Sequence, residues 1–139
     1  MNVQKVSGIL SSIASLLIII AVKGFAPVCS SSLELANGGV CMMKCHYYGI
    51  ALFFFGVLLL VESILLCIGQ SERKLSIVIF TTAVLILLLS NSSIGIGICA
   101  KAGMNCHKTA LWGRIGAIIS IVAAVINLFV HKSNIPQAD

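Results

Sequence analysis

Four stretches of about twenty apolar residues divide this chain, and nothing constrains its fold more. They run Val6–Ala26, Tyr47–Gly69, Leu75–Ile98 and Leu111–Val130. A helix rises 1.5 Å per residue, so about twenty residues cross a ~30 Å hydrocarbon core. Backbone groups in lipid must be satisfied within the segment, which makes each stretch a helix. Composition agrees: 59% of the residues are apolar and 9% are charged, with a mean hydropathy of +1.11. Soluble domains carry about 25% charged residues. The expected fold class is therefore all-α: a single integral membrane domain over 1–139, a four-transmembrane-helix up-down bundle.

The connectors set the topology. Gln70-Ser71-Glu72-Arg73-Lys74 is a tight polar turn, whereas Val28 to His46 is long and carries the turn signals Ser30-Ser31-Ser32 and Asn37-Gly38-Gly39. Cys99 to Lys108 is shorter. Four spans in alternation put both cysteine-bearing loops on one face and both termini on the other. The first apolar stretch is expected to be a retained helix, because Pro27 spoils a signal-peptide cleavage site. Lys5, Arg73, Lys74 and Lys132 on the non-cysteine face slightly outweigh Lys44, Lys101 and Lys108 on the other. Cysteine-rich loops favour an oxidising compartment. The chain is expected in the cell membrane, multi-pass, with both termini cytoplasmic and the cysteine loops outside. The net charge of +5 comes from dispersed Lys and Arg, without a basic stripe, which speaks against nucleic acid as a partner.

The halves look duplicated. Met43-Lys44-Cys45-His46 and Met104-Asn105-Cys106-His107 each precede a long apolar stretch, and each has a cysteine upstream, Cys29 or Cys99. Such a plan is a parallel repeat about an axis along the membrane normal. Small residues recur every four positions at Ser7, Ser11 and Ser15, and at Gly116, Ser120 and Ala124. That spacing lets backbones approach closely and marks helix seams.

The rim supports several chemistries. Thiol, thioether and imidazole ligands from Cys29, Cys41, Met43, Cys45, His46, Cys99, Met104, Cys106 and His107 suit copper, zinc or iron. Haem attachment fits less well, because three residues rather than two separate Cys41 from Cys45. Alternatively the repeat pairs Cys29 with Cys45 and Cys99 with Cys106 as structural disulfides, leaving Cys41 unpaired. Cys67 reads as a small buried apolar residue. The activity expected is soft-metal binding or thiol redox as an accessory to a membrane transporter. A non-catalytic scaffold with structural disulfides and a quinone-linked disulfide oxidoreductase are the alternatives. No nucleotide loop or hydrolase triad points to an ordinary enzyme, and whether the chain is an enzyme stays open. Besides the lipid bilayer, a second copy of the chain stays open as a partner.

Three polar residues lie at membrane depth. Glu62 is the sole acid inside an apolar stretch. It reads either as a proton-relay or cation site or as an internally satisfied acid, hydrogen-bonded to Asn127 or Thr82. Arg114 lies just below the rim, in a layer with Lys23 and Ser90-Asn91-Ser92-Ser93. It either snorkels to the interface or meets an anionic headgroup, a quinone carbonyl or a carboxylate.

Met-Lys-Cys-His-Tyr-Tyr-Gly at 43–49, and Ile-Gly-Ile-Cys at 96–99 followed by Met-Asn-Cys-His at 104–107, resemble a family of small four-helix prokaryotic membrane proteins known only as a domain of unknown function. The resemblance covers nearly the whole chain. It implies four spans with the cysteine loops outside the cytoplasm. It also implies an association with transporter components of the macrolide-exporter type and with metal-related proteins. Cys41 is additional to that family's pattern.

Overall fold

The computed structural model describes residues 3–25, 32–34, 40–42, 44–69, 72–91, 93–96 and 105–133. Helix α1 spans Val3–Ile20 and continues as a π-helical turn, Ala21–Phe25. Two short strands, β1 (Ser32–Glu34) and β2 (Val40–Met42), form an antiparallel hairpin in the first loop. Helices α2 (Lys44–Ile68), α3 (Glu72–Leu89) and α4 (Asn105–Ser133) follow. The hairpin is an addition to the all-α expectation. Its strands flank the Asn37-Gly38-Gly39 signal.

The four helices form a ring in which each packs on two neighbours and the diagonals touch little. Side-chain contacts fix the directions. Gln4 Nε2 donates to the Leu66 carbonyl at 3.0 Å, pairing the start of α1 with the end of α2. Thr82 pairs with Glu62 between α3 and α2. Arg114 meets Ser90, and Asn127 meets Ser76, so α3 and α4 run antiparallel along their shared length. Every sequential pair is antiparallel, and the bundle alternates direction as expected.

The small-residue seams do the close packing. A Cβ on Gly8 would lie 2.6 Å from Cys67 Sγ and 3.3 Å from the Ser63 carbonyl. One on Gly116 would lie 2.7 Å from Ile18 Cγ1 and 3.1 Å from the Ala14 carbonyl. Three of the serines in these seams satisfy themselves on the preceding turn. Ser7 donates to the Gln4 carbonyl at 2.9 Å, Ser15 to Ser12 at 2.8 Å and Ser120 to Gly116 at 3.0 Å. A hydroxyl bonded that way packs almost as a small apolar group. Ile18, Leu52, Leu59, Ile86 and Ala117 fill the centre, while Phe54, Phe129 and Ile68 point outward.

Burial follows the duplication. Cys45, Tyr48, Gly49, Leu52, Leu59, Ser63 and Leu66 are buried in α2. At the same helix positions α4 buries Cys106, Thr109, Ala110, Gly113, Ser120, Ala124 and Asn127. Helices α1 and α3 correspond likewise, with Gly8, Ser11, Ala14, Ser15, Ile18 and Val22 against Ser76, Ile79, Thr82, Ala83, Ile86 and Ser90.

Among the described residues three helical segments are long and apolar enough to cross a membrane: Gln4–Gly24, Cys45–Ile68 and Asn105–Val130. The third apolar stretch departs from expectation. A helix was expected to run to Ile98, but α3 stops at Leu89 after 18 residues, ~27 Å. The reason lies in the polar run that follows. Asn91 N–H donates to the Leu88 carbonyl at 3.0 Å, and Asn91 Oδ1 accepts from Ser93 N–H at 3.0 Å. Asn and Ser side chains compete for backbone partners in this way and end helices. The chain then turns back, with Gly95 N–H on the Asn91 carbonyl at 2.8 Å. A Cβ on Gly95 would sit 2.5 Å from the Leu88 carbonyl, so only glycine fits. At the other end of the bundle α2 closes on Gly69, whose φ of 89° is the left-handed cap that terminates helices. The turn to α3 is tighter than expected, because Glu72, Arg73 and Lys74 already belong to its first helical turn.

Candidate functional site

Both Met-x-Cys-His strings start a helix at their second residue. Lys44 opens α2 and Asn105 opens α4, which makes Cys45 and Cys106 the second residue of their helices. Both cysteines are fully buried, at 0% exposure, and His46 and His107 are half-buried beside them. The two sites are alike in place and unlike in chemistry. Cys45 is disulfide-bonded, and its partner lies outside the described residues. Cys106 is a free thiol. The expected Cys99–Cys106 bond is thus corrected: the helix that carries Cys106 buries it as a thiol. Cys67 is also free and half-buried, with its Sγ against Gly8 of α1.

Among the described residues no three His, Cys, Asp or Glu side chains gather as a metal-holding group. The expected ligands Cys29, Met43, Cys99 and Met104 lie outside those residues, as does the side chain of Cys41, whose backbone pairs with Leu33. The His46 ring stands edge-on to Tyr47, with centroids 5.9 Å apart.

One turn below Cys45 stands Tyr48, which the sequence reading passed over. It is fully buried, and its hydroxyl has no hydrogen-bond partner among the described residues. The hydroxyl lies against the α4 backbone at Gly113, within electrostatic reach of Arg114 and Cys106. Its spacing of three from Cys45 was the available signal, since positions i and i+3 share a helix face. Arg114 reaches across to the end of α3. Its Nε donates to Ser90 Oγ at 3.0 Å and an Nη to the Ser90 carbonyl at 3.3 Å. Lys23, carried by the π-helical turn, places its ammonium 5.1 Å from the Phe53 ring centroid, a cation–π arrangement.

A second polar zone lies in the half of the bundle nearer the α2–α3 turn. Thr82 Oγ1 donates to Glu62 Oε1 at 3.0 Å. Asn127 instead gives its Nδ2 to Ser76 Oγ at 2.7 Å. Of the two partners expected for Glu62, the bundle supplies Thr82, because Asn127 lies nearer the turn, at the level of Ser76. Glu62 Oε2 and Ser11 Oγ are buried without a partner among the described residues. The apolar layer of Ile18, Leu52, Leu59 and Ile86 separates this zone from the rim.

A family model described as "Domain of unknown function (DUF4418)" matches residues 11–130. No curated protein and no solved structure matches the chain.

Proposed function

The chain belongs to the DUF4418 family, and from that premise we propose that it is a small four-crossing component of the cell membrane whose outer rim is fastened by a structural disulfide between Cys29 and Cys45. In this reading it works as a non-catalytic scaffold or accessory subunit, and a membrane transporter is the partner that the sequence resemblance implies. One observation carries it: Cys45 is disulfide-bonded and buried at the root of α2. The repeat supports Cys29 as its partner, because each half sets one cysteine upstream of its Met-x-Cys-His string. The β1–β2 hairpin, with Leu33 opposite Cys41, folds the first loop back on itself between the two positions.

The fourth crossing is α3. It packs along α4 from Ser90–Arg114 to Ser76–Asn127. Its outer face shows Ile77, Val78, Phe80, Leu85 and Leu88. Water would not tolerate that face, whereas a locally thinned bilayer accommodates a short span at modest cost. The cysteine rim faces the oxidising side and both termini face the cytoplasm.

A specific observation favours a second reading, soft-metal binding or thiol redox at the rim. Cys106 stays a free thiol at the position where Cys45 is oxidised, with His107 next to it. Mass mapping of protein purified without reductant separates the two. A Cys29–Cys45 cross-linked peptide, with Cys106 alkylated only after unfolding, supports the scaffold. Copper, zinc or iron retained near one per chain, and lost in Cys106→Ser, overturns it in favour of the second reading.

A further inference from the structure

We propose that Glu62 is a proton-exchange site within the bundle, open towards the α2–α3 turn and closed towards the cysteine rim. It goes beyond the rim reading and stands independently of it.

The geometry begins with two unsatisfied atoms at one depth. Glu62 is 5% exposed and Ser11 is 1% exposed. One carboxyl oxygen of Glu62 takes the Thr82 hydroxyl, and the other takes nothing among the described residues. Ser11 is the interior serine of α1 whose hydroxyl has no partner there. Its depth follows from the α1–α2 packing. Gly8 lies on Ser63 and Cys67, and Ile18 and Ile19 lie on Gly56. Ser11, between them, falls at the level of Leu59 to Glu62. Buried polar atoms are rarely left unpaired, and each one asks for an explanation. The two atoms do not bond each other, so one carboxyl oxygen stands unpaired at membrane depth, and a proton bound there removes the charge that burial penalises.

The duplication removes the bland explanation that packing demands an acid here. The α4 residue matching Glu62 is Ala123, equally buried. The same position in the other half is filled by a methyl group.

Access is one-sided. Between Glu62 and the turn a polar path of Ser63, the Asn127–Ser76 pair, Ser7 and Gln4 runs beside the buried Leu66 and Ile79. Towards the rim Leu59, Ile18, Leu52 and Ile86 form an apolar layer, and the buried Ser15 beside it spends its hydroxyl on the Ser12 carbonyl. Thr82 of α3 is the side chain bonded to Glu62, and Glu62 is the one ionisable acid or base among the buried polar residues described. Lys5, Arg73 and Lys74 stand exposed at the turn end, and Cys67 is the other titratable side chain of α2 in that half. The step is simple in balance. The carboxylate takes one proton from hydronium at the turn side and returns it to water there.

Dicyclohexylcarbodiimide is the probe, applied to the full chain in phosphatidylcholine vesicles. A protonated carboxyl adds across one C=N bond, and the acyl group then migrates to nitrogen with no leaving group. Expected is an adduct on Glu62, read by mass spectrometry and absent in Glu62→Gln. Once the acid titrates, the adduct falls about tenfold per pH unit raised on the turn side. Thr82→Val, which removes the one hydrogen bond to the carboxyl, shifts the half-labelling pH without changing helix content. The infrared carboxyl band of the unmodified chain gives a second readout that needs no variant. An adduct indifferent to pH, a band that never titrates, or sodium protection at constant pH overturns the proposal.

Discussion

Arg114 holds the end of α3. Its guanidinium donates to both the Ser90 hydroxyl and the Ser90 carbonyl, at 3.0 Å and 3.3 Å. The last turn of a helix leaves carbonyls unsatisfied, and a cation there also meets the negative end of the helix dipole. The residue that the sequence offered to a lipid headgroup or a ligand thus has a partner inside the bundle.

Arg114→Ala should therefore loosen α3 where it ends. The guanidinium is partly solvated, so the loss should be about 1 kcal/mol. Hydrogen exchange in detergent should show faster exchange at residues 86–91 and little change in α1. Arg114→Lys should recover part of the effect, because one ammonium cannot reproduce the paired contact.

Gly116→Val tests the α1–α4 seam. Its first added carbon already falls 2.7 Å from Ile18 and 3.1 Å from the Ala14 backbone. Ile18 can turn aside, but the α1 backbone cannot, so overpacking should cost about 1–3 kcal/mol. Thermal unfolding in detergent reads the loss. Gly69→Ala should also destabilise, through its left-handed backbone rather than through contact, because nothing lies within 4 Å of the added carbon.

Asn127→Ala removes the 2.7 Å bond to Ser76. Interhelical hydrogen bonds in membranes average about 0.6 kcal/mol and reach about 1.7. A loss in that range is expected, with the Ser76→Ala, Asn127→Ala double variant costing little more than the single. A coupling energy near zero in that cycle would remove the pair from the account.

Reduction should destabilise the chain through the Cys45 bond. In the proposed Cys29–Cys45 pairing, closing a loop of about fifteen residues contributes about 3 kcal/mol. The melting temperature should drop on adding reductant, in Cys106→Ala as in the unmodified chain. Cys45→Ala should abolish the dependence on reductant.

Helix content, seam positions and antiparallel order were legible from residue type alone. Lipid leaves a long apolar stretch no alternative to a helix, and small residues every four positions are the only way two such helices come close. The duplicated strings also fixed where α2 and α4 begin. The sequence could not decide that α3 stops at Leu89, because the stop depends on Asn91 and Gly95 folding back over its end and on Arg114 arriving from another helix. Nor could it decide that Cys45 is oxidised while Cys106 is a thiol, since bond formation requires two sulfurs to meet. Thr82 rather than Asn127 pairs with Glu62 for the same reason. Hydrophobic periodicity acts along one segment and can be counted there. Partner choice depends on relative depth and rotation between segments, and only their packing sets those.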